Sequence, residues 1–203
     1  MSTTSRDEQR AECWSERAYA DARAYLAHRA ELVVRLGPRL EPGDTVLDLA
    51  CGDGALADFL PGGIRYRGVD ANAAMVAEAR RRGRAVEFGD LNDYEPPEPV
   101  EATTCFRAIY YARDRRAFFR HVATYTRRKL VFDLNPRQYR LGDVRADLEA
   151  TGWTGLELRP FFSPQTRSPA PSVAALLRRL ERSGPLARLL LRLRFTYLCA
   201  AAR

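Results

Sequence analysis

The sequence contains almost no lysine. Its 203 residues carry a formal net charge of +7, but Lys129 is the one lysine, and the other 32 of the 33 basic residues are arginine. The arginines are interspersed with acidic residues, as in 18–39, whereas nucleic-acid binding favours a basic stripe with interleaved aromatic residues. This distribution makes a nucleic-acid substrate unlikely but leaves an acidic small molecule open as a substrate.

The cysteine and histidine residues are too few and too far apart in the sequence to predict a zinc site or a disulfide framework. The four cysteines stand at positions 13, 51, 105 and 199, without a C-x-x-C pair, and the two histidines are far apart. Zinc sites and disulfide frameworks need closer or paired spacing. We therefore expect reduced cysteines that pack as small hydrophobic residues, and no bound metal.

Long apolar runs are missing as well. No stretch of about 18 apolar residues is available to span a bilayer, and the first residues lack the apolar core of a signal peptide. Hydrophobic residues make up 46% of the chain and charged residues 29%, which is typical of one globular domain with a sizeable core. We expect a cytoplasmic protein, and its oligomeric state is left open.

Residues 45–60 form the stretch around which the chain is organised. The run 46–50 is almost continuously apolar and predicts a strand buried on both faces. Gly52 and Gly54 permit a tight turn that a ligand can approach closely. Residues 55–60 continue as a predicted helix, whose free N–H groups would favour an anionic group at the turn. Strand, glycine turn and helix together predict a cradle for a cofactor.

The sequence of the glycine turn can be compared with two known cofactor-binding motifs. It matches the dinucleotide fingerprint G-x-G-x-x-G/A weakly, which leaves a NAD-linked oxidoreductase as one alternative. Asp48, four residues before Gly52, is unusual for that class. The segment resembles motif I of class I S-adenosylmethionine (SAM) dependent methyltransferases, D/E-x-G-x-G-x-G, with Ala50 in place of the first glycine. We expect Ala50 to avoid a positive φ.

Two further acidic residues strengthen this resemblance. Asp70 ends a predicted strand over 65–70, and Asp90 ends a third over 85–91. The resemblance implies that Asp70 binds the ribose hydroxyls and that Asp90 binds the adenine amino group. We expect Asp48, Asp70 and Asp90 to meet at one edge of the sheet around a single adenosyl ligand.

The resemblance also implies a complete fold. It is an α/β Rossmann-like, mostly parallel sheet of seven strands in the order 3-2-1-4-5-7-6, with strand 7 antiparallel and helices on both faces. Residues 1–40 would form an N-terminal helical lid on a methyltransferase domain at 41–203, effectively one domain. A helical insertion at about 163–194 would precede the last strand. Its basic amphipathic helices, 172–182 and 185–194, are expected to pack on the domain, with a membrane or partner surface as the alternative.

The expected site residues divide into three groups. SAM would be the cofactor, and S-adenosylhomocysteine the product. Tyr19 is the candidate lid residue, and Arg29 the candidate partner of the methionyl carboxylate. The full cofactor set is Tyr19, Arg29, Asp48, Ala50, Cys51, Gly52, Asp70, Ala71, Met75, Gly89, Asp90, Leu91, Phe106 and Arg107. Tyr110, Tyr111, Asn135 and Arg137 are expected to face the acceptor, and Tyr111, His121 and His28 are the candidate bases.

These expectations add up to a functional hypothesis. The chain is expected to move the SAM methyl group in line to an O, N, S or C atom of a small-molecule acceptor, within a closed crevice. The alternatives are an RNA or protein methyltransferase on the same fold, a non-catalytic binding or scaffold protein that keeps the SAM fold, and the oxidoreductase.

Overall fold

The computed structural model describes residues 11–12, 14–162, 169–182, 184–185, 187, 189 and 196–203. The helices are α1 (Trp14–Ala18), α2 (Ala22–Arg35), α3 (Ala73–Arg81), α4 (Arg115–Tyr125), α5 (Leu141–Glu149) and α6 (Pro171–Glu181). The strands are β1 (Thr45–Leu49), β2 (Arg65–Asp70), β3 (Val86–Phe88), β4 (Val100–Cys105), β5 (Thr126–Leu134), β6 (Thr154–Phe161) and β7 (Thr196–Ala202). Short 3-10 turns cover Ala55–Phe59 and Ile109–Tyr111.

The seven strands form one sheet in the predicted order. That order is β3-β2-β1-β4-β5-β7-β6, and β7 runs antiparallel to both β5 and β6. The prediction of the fold class is therefore confirmed. Because β1 pairs with β2 on one side and with β4 on the other, the strand order reverses between β1 and β4, where open α/β sheets leave a crevice.

Both faces of the sheet are covered, as the continuous apolar character of the strands requires. Val46 points into a core that includes Val33 of α2, whereas Leu47 and Leu49 point into the opposite core with Phe119 of α4. This alternation follows from the two-residue period of a strand. Helices on both faces were predicted and are confirmed.

Helix α2 is fixed at both ends by side chains. At its start, the Asp21 carboxylate accepts a hydrogen bond from Ala24 N at 2.9 Å. At its end, the Lys129 ammonium on β5 donates to Leu36 O at 2.8 Å and Val34 O at 3.2 Å, which pairs carbonyls left free by the helix. The one lysine of the chain is thus fully buried, and burial lowers its pKa to about 7.

Two predicted elements differ from the structure. The predicted helix at 55–60 is a five-residue 3-10 turn, because Pro61 favours an extended Leu60, which has ψ 142°. So short a turn offers no helix N-terminus for an anion, and that part of the cofactor argument is wrong. Strand β3 has three residues and stops at Phe88, on the edge of the sheet.

Parts of two other predictions cannot be compared with the structure. Residues 1–10 of the expected lid, and most of the expected helix at 185–194, lie outside the described residues. Where the structure does describe the insertion, α6 is present as predicted. No helix in the described part of the chain combines the length and the apolar character that crossing a bilayer requires.

We predict that Lys129 resists amine acylation in the folded protein. At about pH 8.5 a group with this lowered pKa is neutral and nucleophilic, so that protection would reflect burial alone. Mass spectrometry after treatment with an N-hydroxysuccinimide ester should find Lys129 unmodified in buffer and modified in urea. The terminal amine serves as the internal control, and rapid modification of native Lys129 would contradict the buried placement.

Candidate functional site

A cavity of about 990 Å³ opens beyond the carboxyl ends of the central strands. Most of the residues expected at the cofactor line it, namely Ala50, Gly52, Asp70, Ala71, Met75, Gly89, Asp90, Leu91, Phe106 and Arg107. Its position agrees with the rule that α/β sheets bind ligands at the point where the strand order reverses.

The turn after β1 forms one side of the cavity and is held by Asp70. The Oδ2 atom of Asp70 accepts a hydrogen bond from Gly52 N at 2.7 Å, and Oδ1 accepts one from Asn72 N at 2.8 Å. Both carboxylate oxygens are thereby fixed at the end of β2. A carboxylate has about four lone-pair sites, so Asp70 still has acceptor capacity for hydroxyl donors in the cavity.

Ala50 adopts a left-handed conformation in this turn, with φ +53°. The expectation that it would avoid a positive φ is wrong. Gly52 and Gly54 are also left-handed, and Cys51 N donates to Val69 O at 3.0 Å, so the hydrogen bonds of the turn impose this backbone path. Alanine adopts it at a cost of about 1–2 kcal/mol, because its side chain is a single methyl group.

The turn after β4 is also held by a carboxylate on the neighbouring strand, on the opposite side of the cavity. Asp133, near the end of β5, accepts a hydrogen bond through Oδ1 from Arg107 N at 2.6 Å. Arg107 has φ +54°, so it and Ala50 are the two non-glycine residues with positive φ in the described part of the chain. Both line the cavity, and backbone strain of this kind is concentrated at functional sites.

Asp48 does not join the other two acidic residues. Its side chain is buried, and it accepts hydrogen bonds from Thr104 Oγ1 at 2.6 Å and Tyr66 Oη at 3.1 Å. Burial raises the pKa of Asp48 to about 6, although these two hydrogen bonds counteract the shift. The expected meeting of three carboxylates in one cavity is corrected to two, Asp70 and Asp90, because Asp48 points inward from β1.

Tyr19 and Arg29 lie behind the main cavity. With Asp48 and Cys51 they line an inner cavity of about 50 Å³. Tyr19 is buried and stacks on Tyr25 at 4.1 Å between ring centroids. Neither Tyr19 nor Arg29 belongs to the lining of the main cavity, where both were expected.

Arg29 is the buried cation of this inner region. Its Nη2 atom donates to Tyr25 Oη at 2.6 Å and lies 3.4 Å from Asp133 Oδ2, and its guanidinium lies 4.3 Å from the Phe106 ring centroid. Its buried Nε has no hydrogen-bond partner among the described residues. Arg29 therefore neutralises the carboxylate that holds Arg107, and it keeps one donor free.

Trp14, which is outside the predicted site residues, lines both the main and the inner cavity. A Cβ atom at Gly52 would lie 3.4 Å from the Trp14 ring, so α1 covers the glycine turn closely. An aromatic residue ahead of the first strand was the only signal. Other lining residues outside the expected set are Asn72, Ala73, Ala74, Ala77, Asn92, Ala108 and Arg113.

Asp90 lies at the more open end of the cavity. Its Oδ1 atom accepts hydrogen bonds from the backbone and side-chain nitrogens of Asn92, and its Oδ2 atom lies 3.3 Å from the Arg113 guanidinium. The Asn92 hydrogen bonds, with Arg113 as a smaller cause, lower the pKa of Asp90. The carboxylate is therefore ionised at neutral pH and keeps its acceptor character.

Tyr110 and Tyr111 form an exposed aromatic rim. Their ring centroids are 4.4 Å apart, and both line the main cavity as expected of acceptor-facing residues. Partial burial and a hydrogen bond with Tyr111 raise the pKa of Tyr110 to about 12. The Tyr110 hydroxyl is therefore protonated at neutral pH, so it can donate a hydrogen bond but is a poor base.

The two candidate histidine bases lie outside the main cavity. His28 Nε2 lies 2.6 Å from Glu181 Oε2 in a different cavity of about 290 Å³, between α2 and α6. His121 Nε2 lies 3.0 Å from Tyr94 O, on α4. Neither lines the main cavity, because α2 and α4 turn these side chains toward other parts of the domain.

Asn135 and Arg137 are also outside the main cavity. The Asn135 side chain accepts a hydrogen bond from Arg137 N at 3.0 Å, so it stabilises its own turn after β5. Both residues are exposed. Neither residue is among those that line the main cavity, and their place at the acceptor stays a prediction.

The described cysteines are free thiols. Cys105 and Cys199 are buried, and Cys51 is partly buried beside Tyr66 and Gly68. Burial raises the pKa of each of these thiols, so they are protonated packing groups, as expected. Cys13 lies outside the described residues. Among the described residues, no three His, Cys, Asp or Glu side chains are grouped as metal ligands would be.

The residues of the main cavity fit an adenosyl cofactor. Asp70 offers acceptors for hydroxyl groups, and Asp90 offers one for an amine. Gly89 also lines the cavity, and a Cβ atom there would lie 2.9 Å from Tyr94 Cδ2 and 3.0 Å from Val69 Cγ1, so a larger residue would be crowded by these side chains. Sheet and cavity together define the fold of class I SAM-dependent methyltransferases.

Comparison with known proteins agrees with this class. Residues 46–129, which run from β1 into β5, match the family described as "Methyltransferase domain". The chain is 34% identical over 96 residues to dTDP-4-amino-2,3,4,6-tetradeoxy-D-glucose N,N-dimethyltransferase of Saccharopolyspora spinosa. This match covers 45% of the chain and 39% of that relative, so the chain spans about two fifths of the length of the curated relative.

Solved structures share the fold over nearly the whole chain. A TehB-like SAM-dependent methyltransferase from Corynebacterium glutamicum superposes with a TM-score of 0.65 and 16% identity, covering 99% of this chain and 100% of the other. Magnesium protoporphyrin IX methyltransferase from Synechocystis, solved with bound SAM, gives a TM-score of 0.63 and 18% identity, covering 99% and 92%. Residues 46–129 thus match a methyltransferase family, and the chain as a whole shares its fold with solved SAM-dependent methyltransferases.

We predict that Asp48→Asn stabilises the protein increasingly as the pH rises. The carboxyl has a pKa of about 6 when folded and 3.8 otherwise, so between these values the folded state binds more protons and the wild type loses stability with rising pH. Asparagine keeps an acceptor for Thr104 and does not titrate. Between acidic pH and pH values above 6, the stability difference between Asp48→Asn and wild type should shift by up to about 3 kcal/mol in favour of the variant.

Urea unfolding of both proteins between about pH 4 and pH 7.5 measures this difference. Asp93→Asn, at an exposed carboxylate, is the matched control and should show little dependence. A stability difference between wild type and Asp48→Asn that stays constant with pH would contradict the burial argument.

Proposed function

We propose that this protein is a SAM-dependent methyltransferase that modifies a small-molecule acceptor. The observation that carries the proposal is Asp70, which ends β2 at the cavity and is fixed by Gly52 N and Asn72 N. A carboxylate held in this way presents its remaining acceptor sites to two adjacent hydroxyl groups, such as those of a ribose.

We assign the adenosyl end of the cofactor to the segment that follows β3 and to α3. Asp90 would accept a hydrogen bond from the adenine amino group. Met75 and Leu91 are apolar lining residues on either side of this region and would contact the ring. Gly89 lines the same part of the cavity and would contact the ligand through its backbone.

We assign the methionyl end to the glycine turn and the inner cavity. Arg29 supplies positive charge and one unpartnered Nε donor behind Phe106, which would favour a carboxylate at this end. Tyr19 packs beside it. Trp14 covers Gly52, which supports a lid function for residues 1–40 on the domain at 41–203. Closing this lid would exclude water from the site.

The chain's own task is then to place an acceptor in line with the donor. Bound SAM supplies a methyl group that is already electrophilic. Among the described residues that line the cavity there is no histidine, lysine or cysteine, and Tyr110 is held protonated. We infer an acceptor that arrives with a free lone pair, such as an amine or an ionised oxygen or sulfur, and catalysis by proximity and orientation.

Several considerations favour a small acceptor over a macromolecule. Tyr110, Tyr111 and Arg107 would contact it, and these residues border a concave space and not an extended surface. The curated relative named above acts, by its name, on an amino sugar nucleotide. We place the reaction in the cytoplasm, where the sequence pattern led us to expect the protein.

Titration calorimetry with SAM, S-adenosylhomocysteine and NAD tests the cofactor assignment. We expect both adenosyl compounds to bind and NAD not to bind. Binding of NAD alone would favour an oxidoreductase. Binding of SAM without methylation of any amine, acid or thiol in an acceptor screen would favour a non-catalytic scaffold, and turnover on RNA or protein alone would overturn the small-molecule assignment.

We predict that Asp70→Ala weakens the binding of SAM by about 1–3 kcal/mol, or roughly 5- to 150-fold in Kd, because charge-assisted hydrogen bonds are lost. Glu98→Ala removes an exposed carboxylate that does not line the cavity and should leave Kd unchanged. Calorimetry on both variants, after a check of their thermal unfolding, measures the effect. Equal Kd values for wild type and Asp70→Ala would remove Asp70 from the site.

We predict that Tyr111 contributes its ring and not its hydroxyl. Tyr111→Phe should leave kcat and its pH profile unchanged, whereas Tyr111→Ala should raise KM for the acceptor several-fold through lost aromatic contact. Steady-state assays with an acceptor found in the screen separate the two effects. A loss of about 100-fold in kcat on Tyr111→Phe would instead identify the hydroxyl as a catalytic group.

A further inference from the structure

Helix α6 leaves part of its apolar stripe uncovered. Val173, Leu176, Leu177 and Leu180 are spaced to lie along one side of a helix. Val173 is 46% exposed and Leu176 is 56% exposed, whereas Leu177 and Leu180 are partly covered. The expectation that this helix packs its apolar side on the domain is therefore met only in part.

The attachment of α6 to the domain is at its last turn. Glu181 is the one buried residue of the helix; it accepts a hydrogen bond from Phe162 N at 2.7 Å and lies 2.6 Å from His28 Nε2. The one acidic residue of the helix is thus turned inward and engaged. The exposed charged side chains of α6 are therefore Arg178 and Arg179. Arg182, just after the helix, lies 3.4 Å from Glu31.

The charge pattern continues along the sequence. Residues 171–195 contain six arginines, eight leucines and no acidic residue besides Glu181. Leu189, the last described residue before β7, is also exposed, at 57%. Neither Arg178 nor Arg179 pairs with a carboxylate among the described residues. Positive charge of one sign beside exposed aliphatic side chains is complementary to a surface that carries anionic groups and has an apolar layer just beneath them.

We propose that α6 docks on an anionic lipid surface. Val173 and Leu176 would insert among the acyl chains near the headgroups, while Arg178 and Arg179 would contact lipid phosphates. The exposed ridge of the helix suits a flat surface better than a groove, and its charge of one sign suits a continuous layer of anionic headgroups. The docking is peripheral, and it holds whether or not the proposed methyl transfer is correct.

Co-sedimentation with vesicles tests this docking. The full chain is mixed with vesicles of phosphatidylcholine alone, or with roughly 30 mol% phosphatidylglycerol, at low and at high salt. We expect at least about tenfold tighter binding to the anionic vesicles, weakened by salt because the charges are screened. Absence of binding to anionic vesicles at low salt would overturn the proposal.

Three double variants separate the proposed surface from general charge. Arg178→Glu with Arg179→Glu, and Val173→Ser with Leu176→Ser, should each weaken binding about tenfold. The control is Arg116→Glu with Arg120→Glu, which makes the same charge change on exposed positions of α4 and should alter binding less than about twofold. Thermal unfolding checks that all three remain folded.

Several results would contradict the assignment. Equal loss of binding in the two arginine variants would show attraction by net charge alone. Unchanged binding in the serine variant would remove the apolar stripe from the interface. Concentration-dependent self-association in sedimentation velocity that the serine variant abolishes, together with absent vesicle binding, would show that the face meets a second copy of the chain.

Discussion

The cavity depends on two carboxylates that act as a matched pair. Asp70 on β2 accepts a hydrogen bond from the turn after β1, and Asp133 on β5 accepts one from the turn after β4. Asp70 lies on β2, next to β1, and Asp133 lies on β5, next to β4. Each carboxylate therefore holds the neighbouring turn on the side away from the point where the strand order reverses. In this arrangement Ala50 and Arg107 adopt strained, left-handed backbone conformations. The cavity is the space that it leaves between the two turns.

This pairing also accounts for the buried charge behind the cavity. Asp133 is buried, and burial raises its pKa, while Arg29 and the Arg107 N–H favour the ionised form. Arg29 is surrounded by the rings of Tyr25, Phe106 and Phe161. The aromatic cluster around α2 thus keeps one cation next to the carboxylate that positions Arg107, so α2 and the turn after β4 are linked by charge.

The sequence predicted the parts of this structure that depend on local pattern. Apolar runs and glycine turns located the strands, and the resemblance ordered them correctly, because acidic residues at successive strand ends are a local signal. The left-handed Ala50 escaped prediction because hydrogen bonds from β2 impose it. Three other features were not predicted: Trp14 lines the cavity, Asp48 points inward, and both histidines lie outside the cavity. They depend on how α1, α2 and α4 pack, which spacing along the chain does not encode.

The antiparallel course of β7 has a practical consequence for handling the protein. Ala202 pairs with Lys129 near the start of β5, and Arg203 donates to Thr126 O at 2.9 Å, so this end of the chain emerges on the sheet edge opposite the cavity. A tether, dye or affinity matrix attached after Arg203 would lie about the length of β5 away from the opening of the main cavity. Attachment ahead of α1 would instead crowd the residue that covers Gly52.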